Sequence, residues 1–276
     1  MNNIGIVGQG FVGNAIYQKF SEFYKVFTYD IDEYKCNSSL EKVVTKADVI
    51  FICLPTPMNK NGSCNVDIAE TILDKINNIA LSKKIIVIKS TIEPGSTKRF
   101  NEKFDNLNIV FNPEWLREAH AVDDFKKMDR VVLGGPRPAT SILKQMYNKV
   151  FPNAKIVKTD STYAEVIKYL INVFLATKVS LANEVYSVCQ KLNVDYDKVI
   201  EYATMDKRLG DSHWSVPGPD GDLGYGGHCF PKDLAAFIYL SKELGCPSNV
   251  MEAAIKTNDL VRSDRDWEKM KGRAVV

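Results

Sequence analysis

Short apolar runs recur through the first half of the chain, and each is followed by a stretch in which apolar positions return every three or four residues. The runs Ile4–Val7, Val26–Tyr29, Val49–Cys53, Ile85–Lys89, Ile109–Phe111, Arg130–Leu133 and Ala154–Val157 are rich in β-branched residues and predict strands. Helical spacing between them predicts helices near Phe11–Phe23, Val66–Ile79, Thr97–Phe104 and Ala139–Val150. Strand and helix alternating through short connections imply a parallel sheet covered by helices. The second half has a different rhythm. Ser161–Leu192 reads as one long helix without internal Gly or Pro, followed by a helix near Tyr196–Tyr202. A Gly- and Pro-rich loop spans Asp206 to His228, and helices resume at Pro231–Leu244 and Asn249–Val261. The expected fold is α/β: an N-terminal Rossmann parallel sheet over residues 1–158, then an all-α domain over 159–276 built on the long central helix. That helix is apolar nearly all round, with Val166, Ile167, Leu170, Ile171, Val173, Phe174, Leu175, Val179 and Leu181. It must be covered on several sides, and a symmetric partner is the expected cover, so a homodimer is predicted.

Composition narrows the function without naming it. The 276 residues are 45% hydrophobic and 25% charged, and the formal net charge is +2. Charge therefore gives no reason to expect a nucleic-acid partner. The opening MNNIGIVGQG lacks a basic head before an apolar run, and no stretch of about 18 apolar residues occurs, so neither a signal peptide nor a membrane span is expected and the protein is read as cytoplasmic. Six cysteines (Cys36, Cys53, Cys64, Cys189, Cys229 and Cys246) form no C-x-x-C pair, and the three histidines are scattered. Neither a metal site nor a disulfide framework is expected.

Gly8-Gln9-Gly10-Phe11-Val12-Gly13 follows the first strand and opens the first helix. Gly8 permits a tight turn, Gly10 lets the backbone approach a diphosphate, and Gly13 lets the helix pack closely on the strand. Asp30 ends the second strand, where a carboxylate binds ribose hydroxyls and repels a 2′-phosphate, which favours NAD over NADP. Lys35 is placed beside the adenosine end. A glycine turn used only for packing is the competing reading.

Gly224-Tyr225-Gly226-Gly227-His228-Cys229-Phe230-Pro231-Lys232-Asp233 is the most informative segment. Its glycines allow close backbone approach to a ligand, and Pro231 suits the first turn of a helix. Cys229 then sits just before a helix N-terminus, where the dipole stabilises a thiolate. Lys232 adds positive charge, and Asp233, four residues on, is expected to point back toward the sulfur. The competing reading is a structural cysteine at a helix cap.

This loop resembles the G-x-G-G-x-C-x-P-K-D active-site loop of the UDP-glucose/GDP-mannose dehydrogenase family. Lys89-Ser90-Thr91-Ile92-Glu93-Pro94-Gly95 resembles the family's K-S-T turn, Asn112–Glu118 its N-P-E segment, Ala164–Asn172 its A-E-x-x-K-x-x-x-N helix, Asn183-Glu184 its later N-E pair, and Cys53-Leu54-Pro55-Thr56-Pro57 its cofactor loop. Val216–Gly221 fits the UDP-glucose branch better than the GDP-mannose branch. The resemblance implies NAD-dependent oxidation of a nucleotide-sugar alcohol to a carboxylate in two steps, through a cysteine thiohemiacetal and thioester. By position it implies Cys229 as nucleophile. Lys168 and Asn172, four apart on one helix, would stabilise the oxyanion. Thr91 and Asp233 would place a water, and Glu114 would act as general base. Pro55, Thr56, Ser90, Thr91, Glu118 and Lys232 would contact the cofactor. The substrate would meet Glu114, the backbone of Trp115, Leu116, Arg117 and Glu118, and Tyr225 and Gly226. Arg208 would reach a neighbouring subunit's substrate.

Family members normally continue into a third, Rossmann-like domain. Lys271–Val276 resembles the first residues of that domain's first strand, with Arg262 and Trp267 on the connecting helix. A weakly bound substrate, a separate chain that supplies the lid, or a smaller alcohol are the consequences expected if that domain is missing. Two other readings stay open at this point. One is a single-step hydroxyacid dehydrogenase of the 3-hydroxyisobutyrate type, which needs no cysteine. The other is a non-catalytic NAD-binding module.

Overall fold

The computed structural model describes residues 2–276. Seven strands are present: β1 (Asn3–Val7), β2 (Lys25–Tyr29), β3 (Val49–Ile52), β4 (Lys84–Ile88), β5 (Leu107–Phe111), β6 (Arg130–Gly134) and β7 (Lys155–Thr159). The helices are α1 (Phe11–Phe20), α2 (Leu40–Lys46), α3 (Asp67–Ile79), α4 (Ser96–Lys103), α5 (Ala121–Lys126), α6 (Ala139–Val150), α7 (Ser161–Leu192), α8 (Tyr196–Ala203), α9 (Phe230–Glu243) and α10 (Asn249–Val261). The short helices α2 and α5 were not expected from the sequence pattern. Two compact units form: one runs up to Thr56 and resumes over Val66–Lys168, and the other joins Pro57–Asn65 to Tyr169–Val276.

The strands of the first unit lie in the order β2-β1-β3-β4-β5-β6-β7. Both faces of this sheet are covered, which is why its strands are continuous apolar runs rather than alternating ones. Ile4, Ile6, Phe51, Val87 and Val110 point to the face packed by α1, α5 and α6, where Phe20, Phe125, Tyr147 and Phe151 form an aromatic cluster. Their strand neighbours Val7, Ile50, Ile52, Ile86, Ile88 and Ile109 point to the other face, against Val43, Leu73, Phe100 and the start of α7. Full burial of one such side chain is worth about 1.5–3 kcal/mol. The sheet departs from the expected parallel pattern at one junction. β5 and β6 meet antiparallel through a single pair, Phe111 and Gly134, while β6 and β7 pair in parallel along their length. Gly135 allows this close approach to β5, since a Cβ there would lie 3.0 Å from Ile109 O and Val110, while one on Gly134 would lie 2.5 Å from the Ala164 methyl at the start of α7.

The strand order reverses at β1, because β2 lies on one side of β1 and β3 on the other, all three running parallel. Open α/β sheets bind ligands beyond the carboxyl ends of the strands at such a switch. The loops leaving β1 and β3 begin with Gly8 and Cys53.

In the second unit, Val173, Ala176, Val179, Tyr225, Leu234, Ile238 and Ala254 form one core, and Ala182, Cys189, Tyr196 and Val216 a second. The segment 206–228 is not loose. It contains a short 3-10 turn at Lys207–Leu209. Lys178 Nζ donates to the carbonyls of Leu209 (2.9 Å) and Gly210 (3.2 Å), Trp214 Nε1 donates to Gly210 O, and Tyr196 Oη to Trp214 O. α10 ends at Val261, and Trp267 sits on a separate turn, Asp266–Lys269, rather than on a continuing helix. Lys271–Val276 forms no strand of a sheet; Met58 N donates to Ala274 O and Val276 N to Met58 O. No helix among the described residues is long and apolar enough to cross a membrane.

Candidate active site

The first turn after β1 is as tight as a glycine allows. Gly8 has φ +93°, and a Cβ there would lie 2.4 Å from Cys53 O. A Cβ on Gly13 would lie 1.9 Å from Gly8 O, so α1 packs directly on the loop. At Gly10 nothing lies within 4 Å of where a Cβ would be. α1 begins without a side-chain cap or an acidic residue in its first turn, which leaves its dipole open to an anion. Phe11 and Val12 pack on the sheet core. Asp30 Oδ2 accepts from Gln9 N (2.5 Å) and Oδ1 from Asp32 N (3.0 Å), which fixes the carboxylate at the end of β2. Lys35 pairs with Asp32 at 3.0 Å. A cleft of about 570 Å³ is lined here by Gln9, Gly10, Thr28, Lys35, Cys36 and Asn37 among others, and the buried Gln9 Nε2 has no hydrogen-bond partner.

Two of the sequence motifs are tied together beside this loop. Ser90 Oγ donates to Leu54 O (2.6 Å) and accepts from Leu54 N (2.9 Å), and Thr56 Oγ1 donates to Thr91 O (2.6 Å). The end of β4 thus holds the Leu54-Pro55-Thr56 loop, with Thr56, Ser90 and Thr91 buried and Pro55 exposed.

A polar cluster lies at the end of β5. Lys168 Nζ donates to Glu114 Oε1 (3.0 Å) and Glu114 O (2.9 Å) and stands 5.6 Å from the centre of the Trp115 ring. Glu114 Oε2 accepts from Leu116 N at 2.6 Å. Burial pushes the Glu114 carboxyl up, but the Lys168 charge, the Leu116 amide and Lys89 together outweigh it and hold it below its ordinary value. Lys89 Nζ donates to Asn112 Oδ1 (3.0 Å) and Pro113 O (3.3 Å), and Tyr147 Oη donates to the same Asn112 oxygen (2.5 Å). Glu165, fully buried, accepts from Gly95 N, Thr97 N and Thr97 Oγ1, so the acid of the A-E motif caps α4. The amide of Arg117 and its guanidinium both donate to Asp124, and Arg117 and Glu118 are exposed. The Leu116 and Arg117 amides, part of the backbone expected to meet the substrate, thus donate within the chain.

In the second unit Cys229 occupies the N-cap of α9, with Pro231 in the first turn. Asp233 Oδ2 accepts from Asn172 Nδ2 and its Oδ1 from Lys232 Nζ, both at 2.5 Å. Lys232 and Asp233 are buried. Burial works against the Lys232 charge, but Asp233, Cys229 and Cys64 outweigh it and raise the ammonium above its ordinary value. The glycine loop before Cys229 is held by side chains that sequence reasoning did not single out for this work. Gly224 N donates to Asn183 Oδ1 (3.1 Å) and Gly227 N to Asp266 Oδ2 (3.0 Å). Asn258 accepts from Tyr225 N (2.7 Å) and donates to Tyr225 O (3.1 Å). Arg262, with 3% of its side chain exposed, reaches Asp220 (2.7 Å) and Asp266 (3.4 Å), and a Cβ on Gly226 would lie 2.2 Å from its Nη2. Arg208 is exposed and pairs with Asp206.

Residues 31–153 match the NAD binding domain of the UDP-glucose/GDP-mannose dehydrogenase family, and residues 162–260 match its central domain. UDP-glucose 6-dehydrogenase TuaD of Bacillus subtilis (strain 168) is 30% identical over 95% of this chain, which spans 64% of that relative's length. UDP-glucose 6-dehydrogenase AglM of Haloferax volcanii is 31% identical, covering 93% of this chain and 69% of its own. Among solved structures, a UDP-glucose dehydrogenase from the hyperthermophilic archaeon Pyrobaculum islandicum superposes with a TM-score of 0.86 at 29% identity, over 94% of this chain and 68% of that one. On its two matched domains, its relatives and its fold, the chain belongs to the UDP-glucose/GDP-mannose dehydrogenase family.

Proposed function

We propose that this chain oxidises the primary alcohol of a nucleotide sugar to a carboxylate, with UDP-glucose as the substrate suggested by its relatives' names and NAD as oxidant. The observation that carries this reading is the cysteine at the head of α9, followed within one turn by the buried Lys232–Asp233 pair that Asn172 also holds. The first unit supports the cofactor. Gly10 leaves room for a close approach, α1 has an uncapped N-terminus, and Gln9 Nε2 lacks a partner. In this reading Gly8, Gly10, Phe11, Val12 and Gly13 hold the diphosphate, and Asp30 and Lys35 the adenosine end. Pro55, Thr56, Ser90, Thr91, Glu118 and Lys232 serve the rest of the cofactor. Two NAD molecules, bound in turn, would each take up one hydride, the first from the alcohol and the second from the thiohemiacetal.

The chain supplies the remaining steps. Cys229 attacks the aldehyde carbon as a thiolate favoured by the α9 dipole, and a C–S bond forms. Lys168 and Asn172 stabilise the oxyanion, and Lys168 moves the protons: it takes the alcohol's proton as the first hydride leaves, passes it to the thiohemiacetal oxyanion and takes it back as the second hydride leaves. After the second oxidation a water held by Thr91 and Asp233 attacks the thioester. Glu114 takes the water's proton, the C–S bond breaks, and Cys229 leaves as thiolate. Trp115, Leu116, Arg117, Glu118, Tyr225 and Gly226 line the substrate, and Arg208 reaches the substrate of a second copy in a homodimer. Family membership favours this reading over a single-step hydroxyacid oxidation. Mixing the protein with NAD and UDP-glucose and following absorbance tests it. Two NADH per sugar, lost in Cys229→Ser, is expected; one NADH per sugar, unaffected by that substitution, overturns it.

A further inference from the structure

Lys89, at the end of β4, is 3% exposed and forms no ion pair among the described residues. Its ammonium donates only to neutral oxygens, Asn112 Oδ1 at 3.0 Å and Pro113 O at 3.3 Å. A buried lysine with no carboxylate in contact is destabilising, so the fold must supply a compensation. Its neighbours supply one. Asn112 is fixed at both ends of its amide, by Tyr147 Oη on the oxygen and by donation to Val132 O at 2.8 Å. The next carbonyl, Pro113 O, is taken by Lys89, and the one after, Glu114 O, by Lys168. Three successive residues at the end of β5 are therefore gripped by two lysines from different elements, and the carboxylate of the third carries only one of them directly.

We propose that Lys89 is a positioning residue for Glu114: it holds the Asn112–Glu114 turn in place, and its charge sets how readily the Glu114 carboxylate takes up a proton. The proposal deepens the enzymatic reading, and its kinetic consequence rests on that reading. The titratable groups that face Lys89 are the buried Cys53 thiol, Glu114, Lys168 and the Tyr147 hydroxyl. Burial lowers the Lys89 ammonium most, Cys53 and Glu114 raise it, and Lys168 lowers it, leaving it at about 8. Burial pushes the Cys53 thiol up to about 12 and also raises Tyr147, so both stay neutral while Lys89 titrates. Below pH 8 Glu114 is flanked by two cations and is a weak base. Above it, Lys89 is neutral and Glu114 becomes a stronger base for the water of thioester hydrolysis.

The test follows the Glu114 carboxyl by 13C NMR in protein labelled at the glutamate side-chain carboxyls, with Glu114→Gln giving the assignment. In the wild type its shift should show a second, smaller inflection near pH 8. In Lys89→Met its own midpoint should rise by about one pH unit, while Lys89→Arg leaves it in place. The acid limb of kcat should move up by the same amount in Lys89→Met, which loss of packing alone would not cause. An unmoved Glu114 midpoint in Lys89→Met, or a wild-type titration without the second inflection, overturns the proposal. If Lys89→Met does not fold, the wild-type trace decides. If the protein does not oxidise UDP-glucose, the enzymatic reading fails while the NMR measurement still decides the coupling.

Discussion

A carboxylate buried beside a lysine is held by charge as much as by shape, and Asp233 shows what depends on it. Its two oxygens take Lys232 and Asn172, and Lys232 keeps only about a tenth of its side chain exposed. Replacing Asp233 by Asn leaves that ammonium buried without its counter-charge, a change that costs about 3–5 kcal/mol in comparable sites. Urea unfolding of Asp233→Asn should show a loss of this size, and adding Lys232→Met in the same chain should recover part of it. Equal stability of Asp233→Asn and wild type would mean that the pair is not a buried ion pair in solution. At Glu114 the direction of coupling to pH follows from its lowered carboxyl. That stabilisation is complete above the ordinary carboxylate range and is lost as pH falls through the lower folded value. Lys89, depressed to about 8, also makes the fold more stable as pH rises, but in a higher window and by losing a penalty rather than gaining a stabilisation. The unfolded chain binds its proton more tightly, so this residue's penalty is full below pH 8 and fades as pH climbs toward the ordinary lysine range.

Among the elements, strands were the easiest to read and polar tethers the hardest. The seven apolar runs become seven strands because burial on both faces leaves no alternation to confuse. The 32-residue α7 keeps its predicted limits because no Gly or Pro interrupts it. The cysteine loop was legible from glycines and a proline whose positions have direct backbone meaning. Asn258 and Arg262 were not, since each is a single polar residue whose partner backbone lies more than thirty residues away in sequence. α5 was missed because six residues are too few to display a helical period. α7 also carries the clearest unpartnered feature. Leu170, Phe174, Leu181 and Val188, spaced by four and seven residues on one side, are 59%, 60%, 51% and 56% exposed. The proposed homodimer covers this stripe. Sedimentation should give a dimer for the wild type and a monomer for Phe174→Glu; a monomeric wild type would contradict it.

For the molecule as a whole, the two units divide the proposed chemistry. The sheet unit carries the glycine turn, Asp30, the Ser90–Leu54 clasp and the Lys89–Glu114–Lys168 cluster. The helical unit carries Asn172, Lys232, Asp233 and Cys229. The antiparallel step between β5 and β6 was beyond the sequence pattern, because hydrophobic periodicity reports which faces are buried and not the direction of a neighbour. The central claim is that oxidation passes through a covalent intermediate on Cys229, and the most direct measurement looks for that bond. Glu114→Gln protein, mixed with NAD and UDP-glucose and quenched in acid, should yield a Cys229 peptide heavier by the nucleotide-uronyl acyl group. NADH released with no adduct on that peptide would contradict the account.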